Sequence, residues 1–268
     1  MCVDVAIIAA GSSGAIRARP PCRYGVPAAP HSPAANRYND GVEVTSFDHI
    51  ALWTAERDEL ARLLTDGCGM HVIDRTDAFT LVGGDARRGK VTLFAAEGPR
   101  ERGVLERIVV RVPRLEGARA RLAEAGYPTE NDEETLVVRA PEGVTLAVVE
   151  NGTTAAPDLD HVVLTVPDPD ATAAGLADLG LEREGRRLTV DDRHVELRPG
   201  DAHEGERPLL NHLAFLVDSA GQVEEEARSR GLDVENVVDA PNTLAVFLRG
   251  PDRIRIEYVE HKPGFSLV

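Results

Sequence analysis

A chain of 268 residues that is 43% hydrophobic carries enough apolar surface for one large core or two ordinary ones. With 45 acidic against 30 basic residues its formal net charge is −15, which argues against a nucleic-acid backbone or an anionic membrane as partner. No apolar run reaches the roughly 18 to 20 residues that span a bilayer, and the irregularly spaced Cys2, Cys22 and Cys68 suit reduced cytoplasmic thiols better than a disulfide framework.

Residues 1–46 stand apart. Pro20, Pro21, Pro27, Pro30 and Pro33 interrupt them and no amphipathic period develops, so they read as an extended or disordered arm that the fold does not need. The opening VDVAIIAAGSSG looks like a strand running into a dinucleotide-binding turn. Ala9, however, stands where the first glycine of that turn belongs, and Pro20 and Pro21 cut short the helix that would hold the pyrophosphate. No nucleotide cofactor is expected.

From Phe47 a repeat with a period of about 50 to 60 residues begins, with starts FDHIALW, LERIVVRV, LDHVVLTV and LNHLAFLV. Each start leads into a stretch of helical apolar spacing, at Thr54 to Leu64, Leu115 to Ala125, Asp168 to Leu179 and Ser219 to Arg230. Short strands punctuated by Gly, Asp or Pro turns follow each helix. RAPEGVTLAVVEN lies over RGPDRIRIEYVEH almost residue for residue, so the second and fourth units end alike. The expected class is α+β: four βαβββ units, paired consecutively into domains 47–150 and 158–261, each a half-open mixed barrel with helices outside. Residues 151–157, NGTTAAP with its neighbours, have linker composition, and 262–268 form a tail.

Strand alternation places the chemistry. His161 shares a face with Val163 and Thr165, His212 with Ala214 and Leu216, and Glu257 with Arg253, Arg255 and Val259. The opposite faces are apolar. Two imidazoles and one carboxylate on polar faces of neighbouring strands would form the 2-His-1-carboxylate set that holds a non-heme Fe(II) with open positions, so His161, His212 and Glu257 are the candidate metal ligands.

The repeated D-H or N-H starts and the G-P-D-x-x-x-I-E-Y end resemble the vicinal oxygen chelate superfamily, which includes glyoxalase I, bleomycin-resistance proteins and type I extradiol dioxygenases. The resemblance covers roughly Phe47 to His261. It implies paired βαβββ units and a divalent metal, Fe(II) ahead of Mn(II), held by His161, His212 and Glu257. Four units with one complete ligand set imply an arrangement like that of the ring-cleaving dioxygenases, acting on a substrate with two adjacent oxygens. In the first pair, Arg107 stands in the His slot, and Ala147 and Thr92 stand in Glu slots. His49 alone survives there, and is read as a hydrogen-bonded core or cavity histidine.

In the third unit His194 matches the acid–base histidine of the extradiol relatives, and an imidazole titrating near 6.5 can shuttle a catechol proton. Glu196, two residues on, matches a fourth metal ligand of glyoxalase and epimerase relatives. Phe247 stands where the extradiol relatives usually carry a tyrosine, and Phe cannot donate a hydrogen bond. The expected function is therefore a cytoplasmic metal-dependent oxidoreductase taking a small aromatic or dicarbonyl substrate, with homo-oligomerisation open. A lyase or isomerase, or a non-catalytic drug-binding protein, are the alternatives.

Overall fold

The computed structural model describes residues 43–265, apart from 133, 153–154 and 202–204. The bulk of the proline-rich arm, with Cys2, Cys22 and the Gly11–Gly14 turn, lies outside the described residues, as do His203 and the last three residues of the tail.

Four βαβββ units follow one another. The first comprises β1 (Val44–Thr54), α1 (Arg57–Arg62), β2 (His71–Arg75), β3 (Phe79–Gly83) and β4 (Lys90–Ala95). The second has β5 (Leu105–Val112), α2 (Leu115–Glu124), β6 (Thr129–Asp132), β7 (Thr135–Arg139) and β8 (Thr145–Glu150). The third runs through β9 (Asp158–Val166), α3 (Pro169–Ala177), β10 (Glu182–Glu184), β11 (Arg187–Val190) and β12 (Arg193–Pro199). The fourth has β13 (Leu210–Val217), α4 (Ala220–Ser229), β14 (Val234–Asp239), β15 (Thr243–Arg249) and β16 (Arg255–His261). Helix starts follow local chemistry: the Asp168 carboxylate accepts from the amides of Asp170 and Ala171, and Ser219 Oγ from that of Gln222. The first helix differs from expectation, because after Arg62 it widens into a π turn over Leu63–Gly67. Gly67 there lies so close to Leu122 of α2 that a Cβ would stand 2.5 Å from its Cδ2.

The pairing of the units departs from the sequence expectation. One eight-stranded sheet runs β14-β15-β16-β13-β1-β4-β3-β2 and the other β10-β11-β12-β9-β5-β8-β7-β6. Units one and four therefore share the first sheet and units two and three the second, so 47–150 and 158–261 are not the paired domains. Residues 151–157 join β8 to β9 within a single sheet. In each sheet the leading strands of two units meet antiparallel, β1 with β13 and β5 with β9. Consecutive units are tied differently, through the repeated Pro turn. Its central residue takes positive φ, 56° at Glu142 and 51° at Asp252. Glu142 of unit two accepts hydrogen bonds from Thr54 Oγ1 of unit one and from the amides of Ala55 and Arg100, while Asp252 of unit four accepts from Thr172 Oγ1 of unit three.

Strand alternation sorts the faces as the sequence predicts. Ile50, Leu52 and Leu93 of the first sheet and Val110, Val162 and Leu164 of the second join Leu60, Leu122, Leu176 and Val223 of the four helices in one apolar cluster. Each such side chain, fully buried, contributes about 1.5–3 kcal/mol. The other face of the first sheet has its own small clusters, Ala51, Phe79, Leu81 and Phe94 on one side and Ala245, Phe247 and Val259 on the other. Between them lie the residues described next.

Candidate metal centre

His49 pairs with Ala214, which pairs with Glu257, so the His49 and Glu257 backbones stand two strands apart, about 10 Å in a flat sheet. Their side chains nevertheless approach to 3.4 Å between Nε2 and Oε2. The sheet curls around this face, and His212 closes the group, its Nε2 3.0 Å from His49 Nε2 and 2.8 Å from Glu257 Oε2. All three residues are buried.

Each imidazole is oriented from behind by the preceding residue. His49 Nδ1 lies 2.7 Å from Asp48 Oδ2, and His212 Nδ1 lies 2.9 Å from Asn211 Oδ1. Asn211 Oδ1 also accepts from Arg255 Nη1 at 3.3 Å, which identifies it as the carbonyl oxygen. Each ring thus turns its Nε2 inward. Burial pushes the His212 imidazole below its ordinary value against the attraction of Glu257. Glu257 Oε2, itself buried, accepts no hydrogen bond. Two imidazole nitrogens and a carboxylate oxygen thus converge, 2.8 to 3.4 Å from one another. Two imidazole nitrogens and one carboxylate gathered at one point are the donor set of a 2-His-1-carboxylate site, so the residues present fit a divalent metal.

Asp48 is anchored in turn. Its Oδ1 lies 2.9 Å from Lys90 Nζ and 3.3 Å from His261 Nε2, and Lys90 also donates to the carbonyl of Ala86. Burial works against the Asp48 charge, but Lys90, His261 and His49 outweigh it and hold the carboxyl well below the usual range. Around the group the same face offers aromatic walls. Phe247 meets His212 edge-on at 5.3 Å, Phe94 lies 6.3 Å from His212 and 5.2 Å from Trp53, and Arg100 stacks over Trp53 at 5.6 Å.

Of the sequence-predicted ligands, the structure brings together His212 and Glu257 but puts His161 in the other sheet. Beside His212 and Glu257 stands His49 instead, read from the sequence as a hydrogen-bonded core or cavity histidine. The cause is the unit pairing: β13 has β1 as its neighbour, and β9 has β5. His194 and Glu196 also lie in the second sheet, away from this triad. His194 pairs with His161 across neighbouring strands and the two rings stack at 4.3 Å, 13° from parallel. His161 Nδ1 reaches Asp160 at 2.5 Å, so Asp160, His161 and His194 are a second group of ligand type. Stacked rings aim their in-plane lone pairs side by side, however, and those pairs do not converge. Glu196 occupies in the second sheet the register position that Glu257 has in the first, but Arg198 Nε holds its Oε1 at 2.9 Å. Arg198 also reaches Glu106, and Arg107 fills the slot opposite. The one signal that could have found His49 was its D-H start, shared with His161.

No protein-family model and no curated protein matches the chain. Solved structures do. A "putative dioxygenase" from Bacillus subtilis subsp. subtilis str. 168 superposes with a TM-score of 0.65 at 20% identity over 83% of this chain and 87% of that one. Glyoxalase I from Zea mays gives 0.64 at 14% identity over 82% and 93%. The cppA protein from Streptococcus pneumoniae TIGR4 gives 0.57 at 13% identity over 82% and 100%. Four βαβββ units in two curled sheets, with a superposition spanning nearly the whole of such proteins, give this chain the fold of the vicinal oxygen chelate superfamily.

Proposed function

We propose that the chain is a metal-dependent enzyme in which His49, His212 and Glu257 hold Fe(II) or Mn(II), and that it acts as a dioxygenase on a small aromatic substrate with two adjacent oxygens. The observation that carries this reading is the three-residue donor set: Glu196, the one candidate for a fourth protein ligand, belongs to the other sheet. Three ligands on one side of a metal leave positions for two substrate oxygens and for O₂. When bound, the metal supplies chelation of the two oxygens and electron density to O₂. The chain's own residues orient and exclude. Asp48 and Asn211 fix the two imidazoles, and Phe79, Phe94 and Phe247 provide apolar walls suited to a planar ring. A redox-neutral lyase or isomerase is the second reading. It is favoured by Phe247, which stands where the extradiol relatives usually carry a tyrosine and has no hydrogen bond to give a bound oxygen.

Elemental analysis of protein prepared without chelators should find about one divalent metal per chain. The metal should be lost in His49→Ala, His212→Ala and Glu257→Ala but kept in His161→Ala and His194→Gln. Protein reconstituted anaerobically with Fe(II) should then consume O₂ when given simple or biaryl catechols and form a yellow ring-opened product. Metal retained through the double variant His212→Ala/Glu257→Ala would sink the centre. A metal-loaded protein inert toward O₂ across that panel would turn the assignment to the lyase or isomerase.

A further inference from the structure

The first sheet has a local two-fold relation that the triad does not use up. Units one and four meet through antiparallel β1 and β13, and each first strand has the last strand of its own unit beside it in parallel, β4 and β16. On one side of this axis His49 pairs with Ala214, which pairs with Glu257; on the other, His212 pairs with Ala51, which pairs with Thr92. Exchange of the two units therefore carries His49 onto His212 and Glu257 onto Thr92. Both imidazoles reach the axis, as their 3.0 Å separation shows, and so does Glu257. Thr92 takes the opposite register position with a side chain shorter than that of glutamate.

A second observation concerns its hydroxyl, one of three buried Ser or Thr hydroxyls without a partner among the described residues, with those of Ser46 and Thr80. Thr92 is fully buried, yet its hydroxyl oxygen has no hydrogen-bond partner. A buried hydroxyl left unsatisfied is costly, and each such group in a native protein calls for a partner or a role. Leu81 and Ala51, its register neighbours on either side, offer no side-chain polar atom. The unpartnered hydroxyl thus belongs to the register position that mirrors Glu257.

We propose that Thr92 is a substrate-binding residue. Its hydroxyl hydrogen-bonds one of the two vicinal oxygens of the ligand that enters the gap beside His49, His212 and Glu257. The proposal rests on the reading of that triad as a metal centre and adds which residue receives the ligand. It also gives the position a role in selectivity: a threonine admits a ligand oxygen where a carboxylate would fill the space with a fourth donor.

The test uses the full chain loaded anaerobically with Fe(II), and 4-nitrocatechol as probe, followed by the shift of its visible absorption. Thr92→Val, of nearly equal shape, should keep the metal content and weaken nitrocatechol about tenfold, the loss of one hydrogen bond to a charged oxygen. Thr92→Ser should restore the affinity. Because the hydroxyl satisfies nothing within the protein, Thr92→Val should leave the thermal midpoint of the metal-free chain unchanged or raised; a lowered midpoint would make the residue structural and overturn the proposal. Thr92→Glu should keep the metal and abolish the nitrocatechol shift. Metal present with unchanged nitrocatechol affinity in Thr92→Val overturns this proposal alone, whereas an unaltered protein that binds no metal overturns the triad reading and the proposal together.

Discussion

Behind His49, Asp48 and Lys90 form an ion pair with side chains only 3% and 4% exposed. A buried pair is costly to break from one side, because the surviving charge has no water to turn to. Lys90→Met should therefore lower the thermal midpoint strongly, by the roughly 3–5 kcal/mol typical of an orphaned buried charge. It should also weaken metal binding about 10- to 100-fold, since Asp48 would no longer be held ionised against His49 Nδ1. The double variant Asp48→Asn/Lys90→Met removes both charges. It should regain much of the stability while keeping the weakened metal affinity, as an amide oxygen is a poorer acceptor than a carboxylate. Thermal melts of the metal-free forms and competition titrations with a chromogenic chelator read the two effects separately. A double variant with the parent's metal affinity would show that Asp48 does not act through His49.

At the scale of elements, β9 and β12 bring His161 and His194 into register and stack them. Burial first, then the neighbouring His161 and Arg187, push the His194 imidazole down from 6.5 to about 4. In the unfolded chain the ring takes up its proton near 6.5, while in the folded chain it resists until about 4. Between those values the unfolded state binds more protons. The stability contributed by the neutral ring is thus complete above 6.5 and drains away as the pH falls to about 4. With the ring partly exposed, solvent screening leaves a term on the order of 1 kcal/mol. Urea melts at pH 7 and pH 5 should show a smaller acid loss for His194→Gln than for the parent; an equal loss would place the titrating group elsewhere. The strand faces behind this argument were legible in the alternation of LDHVVLTV and RHVELRP, because a strand's period is independent of its partner.

For the whole molecule, strand pairing and turn contacts run along different directions. Strands join unit one to four and unit two to three, while the Pro turns at Glu142 and Asp252 tie unit two to one and unit four to three. Neither half of the chain contains a complete sheet. A chain limited to residues 158–265 holds His212 and Glu257 but lacks β1 and His49, leaving β13 and β9 each with an unpaired edge. Expressed alone, it should show no cooperative thermal unfolding and bind no stoichiometric metal, by circular dichroism and elemental analysis. A folded, metal-binding half would contradict the pairing described here.

The amino-acid sequence by itself determined the four βαβββ units, the α+β class, the apolar and polar face of each leading strand, and two of the three triad residues. Those properties follow from local period, turn chemistry and the repeat of RAPEGVTLAVVEN in RGPDRIRIEYVEH. Which unit pairs with which was decided only by tertiary structure. All four leading strands carry the same alternation, so β13 could accept β9 or β1 with equal local fitness, and the choice rests on contacts between residues far apart in the chain. That choice set His49 rather than His161 beside His212, left Glu196 tied to Arg198, and put Thr92 at the register position that mirrors Glu257.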